Sequence, residues 1–97
     1  MARDPPWCSK GLRWYEQKVV DYLYSRGGTM SEGKLKIDAE TDLKLPRGYG
    51  MDGVHMLKRR GILLETAKSP ITHEGRICGY DSVLTLADTS YVSSSVL

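Results

Sequence analysis

Two glycine stops divide this chain into segments too short to bury their own apolar surfaces. The first, Gly27-Gly28, follows a run in which Leu12, Tyr15, Val19, Tyr22 and Leu23 recur at spacings of three, four, three and one. That recurrence is the stripe of an amphipathic helix, and glycine just past it is a C-terminal signal. The spacing predicts a helix from Lys10 to Ser25 with Ser9 as its N-cap and Arg13, Glu16, Lys18 and Asp21 on the other faces. A shorter helix is predicted over 32–44, capped by Ser31. There Leu35, Ala39 and Leu43 lie four apart, Ile37 falls off their line, and Pro46 bounds the segment. The second stop, Gly61, ends a third helix that begins near Met51 or Asp52, with Asp52 as cap. Met51, Val54, Leu57 and Ile62 make its apolar side. Gly48, Gly50 and Gly53 crowd the stretch before it, which predicts an enlarged turn there.

Beyond Gly61 the periodicity changes. "GILLE" is a short apolar run and predicts a strand, and "YDSVLTLA", Tyr80 to Ala87, alternates as a returning strand. The stretch between them, "TAKSPITHEGRICG", carries Pro70, Gly75 and Gly79 and reads as a loop too long for a tight hairpin. Residues 1–9 form an irregular lead, because Pro5-Pro6 cannot sit inside a helix. Residues 88–97 read as a flexible tail, with Tyr91 and Val92 its docking side chains. One domain over 10–87 is expected, since 97 residues leave no room for two cores.

Composition narrows the function. A net charge of +2 permits nucleic-acid binding without arguing for it. No apolar run approaches the roughly 18 residues of a membrane span, and "MARDPPWCSK" lacks the apolar centre of a signal peptide, so a cytoplasmic location is expected. Cys8 and Cys78 read as two free thiols. With His55 and His73 they do not make the closely spaced ligand set of a zinc site. The spacing Gly48-x-Gly50-x-x-Gly53 would suit a dinucleotide loop only inside a βαβ unit, which the chain lacks. Asp38 and Asp42 share a helix face but have no third carboxylate or His beside them. Ser9, Ser31, Ser69 and the two His show no triad-like arrangement. No cofactor is expected, and no enzyme.

The order helix, extended link, helix, loop, helix, strand, loop, strand resembles the winged helix-turn-helix superfamily. "VVDYLYSRGGTMS" carries the first helix and its exit, "LKLPRG…VHMLKRRGILLE" the turn and third helix, and "HEGRICGYDSVLTL" the wing and last strand. The resemblance covers about residues 12 to 87, most of the chain. It implies an α+β fold with three helices packed on a small antiparallel β-hairpin wing. It also implies a third helix lying in the major groove of DNA, with the wing on the backbone or minor groove.

The candidate residues follow from that resemblance and from the charge. Residues 46–61 hold Arg47, Lys58, Arg59 and Arg60 against Asp52 alone, a local +3. Arg47, Lys58 and Arg59 are candidates for DNA contact, with Tyr49 and His55 for base contact. Lys68 and Arg76 are the candidates on the wing, near His73. The expected reading is a small transcriptional regulator on double-stranded DNA, nucleoid-associated if so, and tight binding would call for a homodimer or a partner. The contrary feature is acidic: Glu32, Asp38, Glu40 and Asp42 lie on or near the second helix, where a DNA backbone would pass. It favours a second reading, a protein-interaction module such as a small viral or mobile-element inhibitor of a larger complex. Trp7, Trp14, Tyr24 and Tyr49 would be its anchors, with Trp14 better placed than Trp7 for partial burial.

Overall fold

The computed structural model describes residues 11–94 and residue 96. Over the described residues the chain is α+β, with three α-helices and a three-stranded antiparallel sheet. Helix α1 runs Trp14–Ser25, strand β1 Thr29–Ser31, helix α2 Glu32–Asp42, helix α3 Tyr49–Arg59, strand β2 Leu63–His73 and strand β3 Arg76–Leu86. A single 3-10 turn follows at Thr89–Tyr91. The strands lie in the order β1–β3–β2. The short link after Gly28 is therefore a third strand, which pairs Thr29, Met30 and Ser31 with Thr85, Leu84 and Val83.

The helix ends follow the glycines. Gly27 and Gly61 take left-handed φ values of 101° and 76° just past α1 and α3. At each end two backbone bonds close a Schellman motif: Gly28 N–H to Leu23 and Gly27 N–H to Tyr24, then Ile62 N–H to Leu57 and Gly61 N–H to Lys58. The end of α2 has the same bonds, Leu45 N–H to Glu40 and Lys44 N–H to Thr41. There the left-handed residue is Lys44, at φ 54°. A side chain in that region costs about 1 kcal/mol or more.

The helix starts differ from the sequence expectation. Ser9 and Lys10 lie outside the described residues, as do Pro5, Pro6, Trp7 and Cys8. Helix α1 begins at Trp14, after Arg13 in extended conformation, and the Glu16 carboxylate accepts the Arg13 N–H at 2.7 Å. Ser31 does precede α2, but its side chain makes no capping bond. Asp81 of β3 accepts the Gly33 N–H instead, at 3.0 Å. Helix α3 starts at Tyr49 with Gly48 as its cap residue, so Gly50 and Gly53 lie inside the helix and the enlarged turn is not there. The reason is tertiary. A Cβ on Gly50 would stand 2.6 Å from the Lys36 carbonyl oxygen, and one on Gly53 would stand 3.3 Å from a Val19 methyl. The glycines let α3 lie against α2 and α1.

The stretch between the two predicted strands is not a loop. β2 and β3 are each 11 residues long and join through Glu74-Gly75, with φ 53° and 79°. Positive φ at both central residues is the signature of a type I′ hairpin turn. The pairing slips once between Glu65 and Ala67 and once between Ile71 and Thr72. Pro70 is tolerated because β2 is the sheet edge. Only the base of the hairpin is covered, by Leu63, Leu84 and Leu86, which join Leu23, Leu35 and Leu57 in the core. Val92, beyond the 3-10 turn, is also fully buried there. Its segment is held by Gln17 bonding to the Tyr91 carbonyl and by Asp21 accepting from the Ser93 N–H and hydroxyl.

Two substitutions test this account by urea unfolding. Gly50→Ala should destabilise the protein by roughly 1–3 kcal/mol, although alanine is intrinsically the better helix former. Lys44→Gly should stabilise it by about 1 kcal/mol. An unchanged midpoint for Gly50→Ala would contradict the close helix approach.

Candidate nucleic-acid interface

Helix α3 has two unlike sides. Gly50, Gly53, Val54 and Leu57 are buried. Met51, Asp52, His55 and Arg59 are exposed and fall at spacings that place them along one face. Arg47 precedes the helix and borders a groove of about 420 Å³ between α2 and α3, lined also by Ile37 and Met51.

The local +3 is not delivered to solvent as the sequence suggests. The Lys58 ammonium lies 2.7 Å from one Glu32 oxygen, and Lys36 lies 2.8 Å from the other. His55 Nε2 is 2.9 Å from the Lys36 ammonium and 3.9 Å from Glu32. Since an ammonium only donates, that ring nitrogen accepts. Burial opposes ionisation of Glu32. The hydrogen bonds from Lys36 and Lys58 and their charges outweigh it, so its pKa lies below the ordinary 4.5. Arg60 is tied to α1: it lies 3.5 Å from the Glu16 carboxylate, which is only 1 % exposed, and donates to the Gly11 carbonyl. Arg47 and Arg59 make no ion pair or side-chain hydrogen bond among the described residues.

The acidic run is similarly engaged. Asp38 pairs with Lys34 at 3.4 Å, and Asp42 accepts the Tyr22 hydroxyl at 2.6 Å. Glu40 accepts the Gly48 and Gly50 N–H groups at 3.0 and 3.2 Å. All four carboxylates that the sequence sets against a DNA backbone therefore have partners within the chain.

Tyr49 opens α3 with its ring packed on others, 5.0 Å from Tyr15 and 5.7 Å from Trp14 between centroids. It is 37 % exposed and Trp14 is 42 % exposed, so the three rings form a surface cluster joining α1 to α3. Tyr24 is half-buried against the core. On the hairpin, Lys68 lies 3.5 Å from Glu65, which also accepts the Ser82 hydroxyl. Arg76, beside the turn, has no partner among the described residues, and His73 lies 3.9 Å from Glu74. Ile71, Ile77 and Tyr80 are exposed on the same hairpin.

The structure thus brings His55, Lys58 and Arg59 to one side of α3 and puts Lys68 and Arg76 on the separate hairpin. Sequence reasoning missed Lys36 and the hub role of Glu32, although their four-residue spacing was a usable signal. It also missed the Glu40 contacts, for which no local signal exists. Among the described residues, no group of three or more His, Cys, Asp or Glu is placed to hold a metal ion. No described helix is long and apolar enough to cross a membrane. Cys78 is an exposed free thiol. No protein family matches the chain, and no curated protein or solved structure is significantly similar to it.

The Glu32 cluster has a pH signature. A carboxylate whose folded pKa is depressed contributes stability that is full above its unfolded value, 4.5, and is lost as pH falls through the lower folded value. Glu32→Gln should cost about 1 kcal/mol at neutral pH. The gap from wild type should narrow as pH falls below 4.5 in urea titrations. A gap independent of pH would show that the ion pairs contribute nothing.

Proposed function

We propose that this chain is a winged helix-turn-helix protein that binds double-stranded DNA as a small, non-enzymatic regulator. The order α1–β1–α2–α3–β2–β3, with β3 between β1 and β2, supports that fold. The observation that carries the functional reading is the state of the cations. Arg47 and Arg59, at the two ends of α3, and Arg76, at the hairpin tip, have no internal partner among the described residues. Cations without internal partners neutralise phosphates without first breaking a bond. His55 and Asp52 share the face of α3 with Arg59 and supply groups that can meet base edges in the major groove. Lys58, already held by Glu32, is the weaker contact of the set. Tyr49 contributes mainly through its packing on Trp14 and Tyr15.

A second reading, a winged helix that binds a protein, draws on one specific observation. The hairpin carries Lys68 and Arg76 against Glu65, Glu74 and Asp81, a sum of −1, while Ile77 and Tyr80 are 58 % and 60 % exposed. An acid-balanced, apolar hairpin suits a protein surface better than phosphates.

Binding to mixed-sequence duplex DNA across a salt series separates the two. The DNA reading predicts affinity that falls steeply with salt, and Arg47→Ala with Arg76→Ala should make the log–log slope shallower by about two. Arg59→Ala should weaken binding more than Lys58→Ala. No binding at about 50 mM salt would leave the protein-interaction reading.

A further inference from the structure

The glycine-spaced stretch from Gly48 to Gly53 does hold an anion, and the anion belongs to the chain. One oxygen of Glu40 accepts from both Gly48 and Gly50, at 3.0 and 3.2 Å. These N–H groups sit where a helix start leaves donors unsatisfied and favours negative charge. The fit depends on both glycines. Gly48 is at φ 88°, and a Cβ on Gly50 would stand 3.1 Å from the Glu40 Cβ and 2.6 Å from the Lys36 carbonyl oxygen. Glu40 itself lies in the last turns of α2, where its own carbonyl accepts the Leu45 N–H that closes the α2 end. One residue therefore ties the end of α2, the turn and the first turn of α3.

We infer that Glu40 is a positioning residue that fixes the angle of α3 against α2, so that the Met51–Asp52–His55–Arg59 face meets a duplex in one register. The inference rests on the DNA-binding reading. Glu40 does not itself touch DNA. It occupies the donors that would otherwise be open to a backbone phosphate, so phosphate contact at this end of α3 falls to Arg47. Loss of the clamp should therefore damage discrimination between sequences and leave charge-driven binding in place.

The test uses the full chain and two variants, Glu40→Ala and Glu40→Gln. The probes are a duplex enriched by the wild-type protein from a random-sequence pool and a scrambled duplex of the same composition. Glu40→Ala should lower the ratio of the two affinities by about tenfold, the scale of one misread base pair. Affinity for the scrambled duplex should fall by no more than about twofold, since the Gly48 and Gly50 donors that open can meet a phosphate. Glu40→Gln keeps an acceptor oxygen and should restore most of the ratio. Hydrogen exchange reads the clamp without DNA. In Glu40→Ala the Gly48 and Gly50 amides should exchange faster while those of Val54 and Leu57 stay protected. Unchanged exchange at Gly48 and Gly50 would refute the clamp. Faster exchange with an unchanged affinity ratio would refute its positioning role, and so would equal loss on both duplexes. If the wild-type protein enriches no duplex, the DNA-binding reading fails and the positioning role goes with it, whatever the exchange shows.

Discussion

The distance between α3 and its two neighbouring helices governs the rest of the structure. Gly50 and Gly53 present no side chain toward α2 and α1, so the Lys36 carbonyl comes closer than a Cβ on Gly50 would allow and a Val19 methyl packs tightly against Gly53. At that separation Val54 and Leu57 reach a common core with Leu23 and Leu35. Gly61 then turns the chain so that Ile62 and Leu63 enter the same core as the sheet begins. A side chain at Gly50 would push α3 away from α2, because the atom that it meets is backbone. The helix propensity lost to glycine is the smaller term, because packing lost across a small core is felt by every element that shares it.

Carboxylates organise the surface of this frame. Glu16 accepts the first N–H of α1 and draws in Arg60 from the end of α3. Glu32 gathers Lys36 and Lys58. Glu40 holds the start of α3, and Asp81 holds the start of α2 from the hairpin. Each of these carboxylates joins two elements through at least one of its contacts. A count of charges along the sequence therefore misjudges the electrostatic surface: much of the basic cluster and of the acidic run cancels internally. Among the described residues, Arg47, Arg59 and Arg76 reach solvent without an internal partner.

The hairpin is a different kind of element. Near its base it is tied to the body by core leucines and by a hydroxyl ladder in which Thr85 bonds both Thr29 and Thr66. Toward its tip both strands are exposed, and the molecule extends 57 Å along one axis against 26 and 22 Å along the others. Two pairing irregularities and Pro70 interrupt the outer edge of β2, which discourages a further strand from adding there. Partners of the hairpin would meet its faces and its tip.

The sequence by itself determined the helical stripes, the stops at Gly27-Gly28 and Gly61, and a strand on each side of the segment around Gly75. These signals are local: apolar periodicity and glycine's freedom to take positive φ are written in a few adjacent residues. Tertiary structure alone decided three things. It drew Gly50 and Gly53 into a helix, because the benefit of their missing Cβ atoms lies in Lys36 and Val19 far along the chain. It extended two short strands into an 11-residue hairpin, where Glu74-Gly75 makes a tight turn only once both strands pair. It also paired part of the charge across elements, closing Lys58 and Arg60 while leaving Arg47, Arg59 and Arg76 open among the described residues. Charge pairing across elements depends on distances set by the core, and no spacing in the sequence encodes those distances.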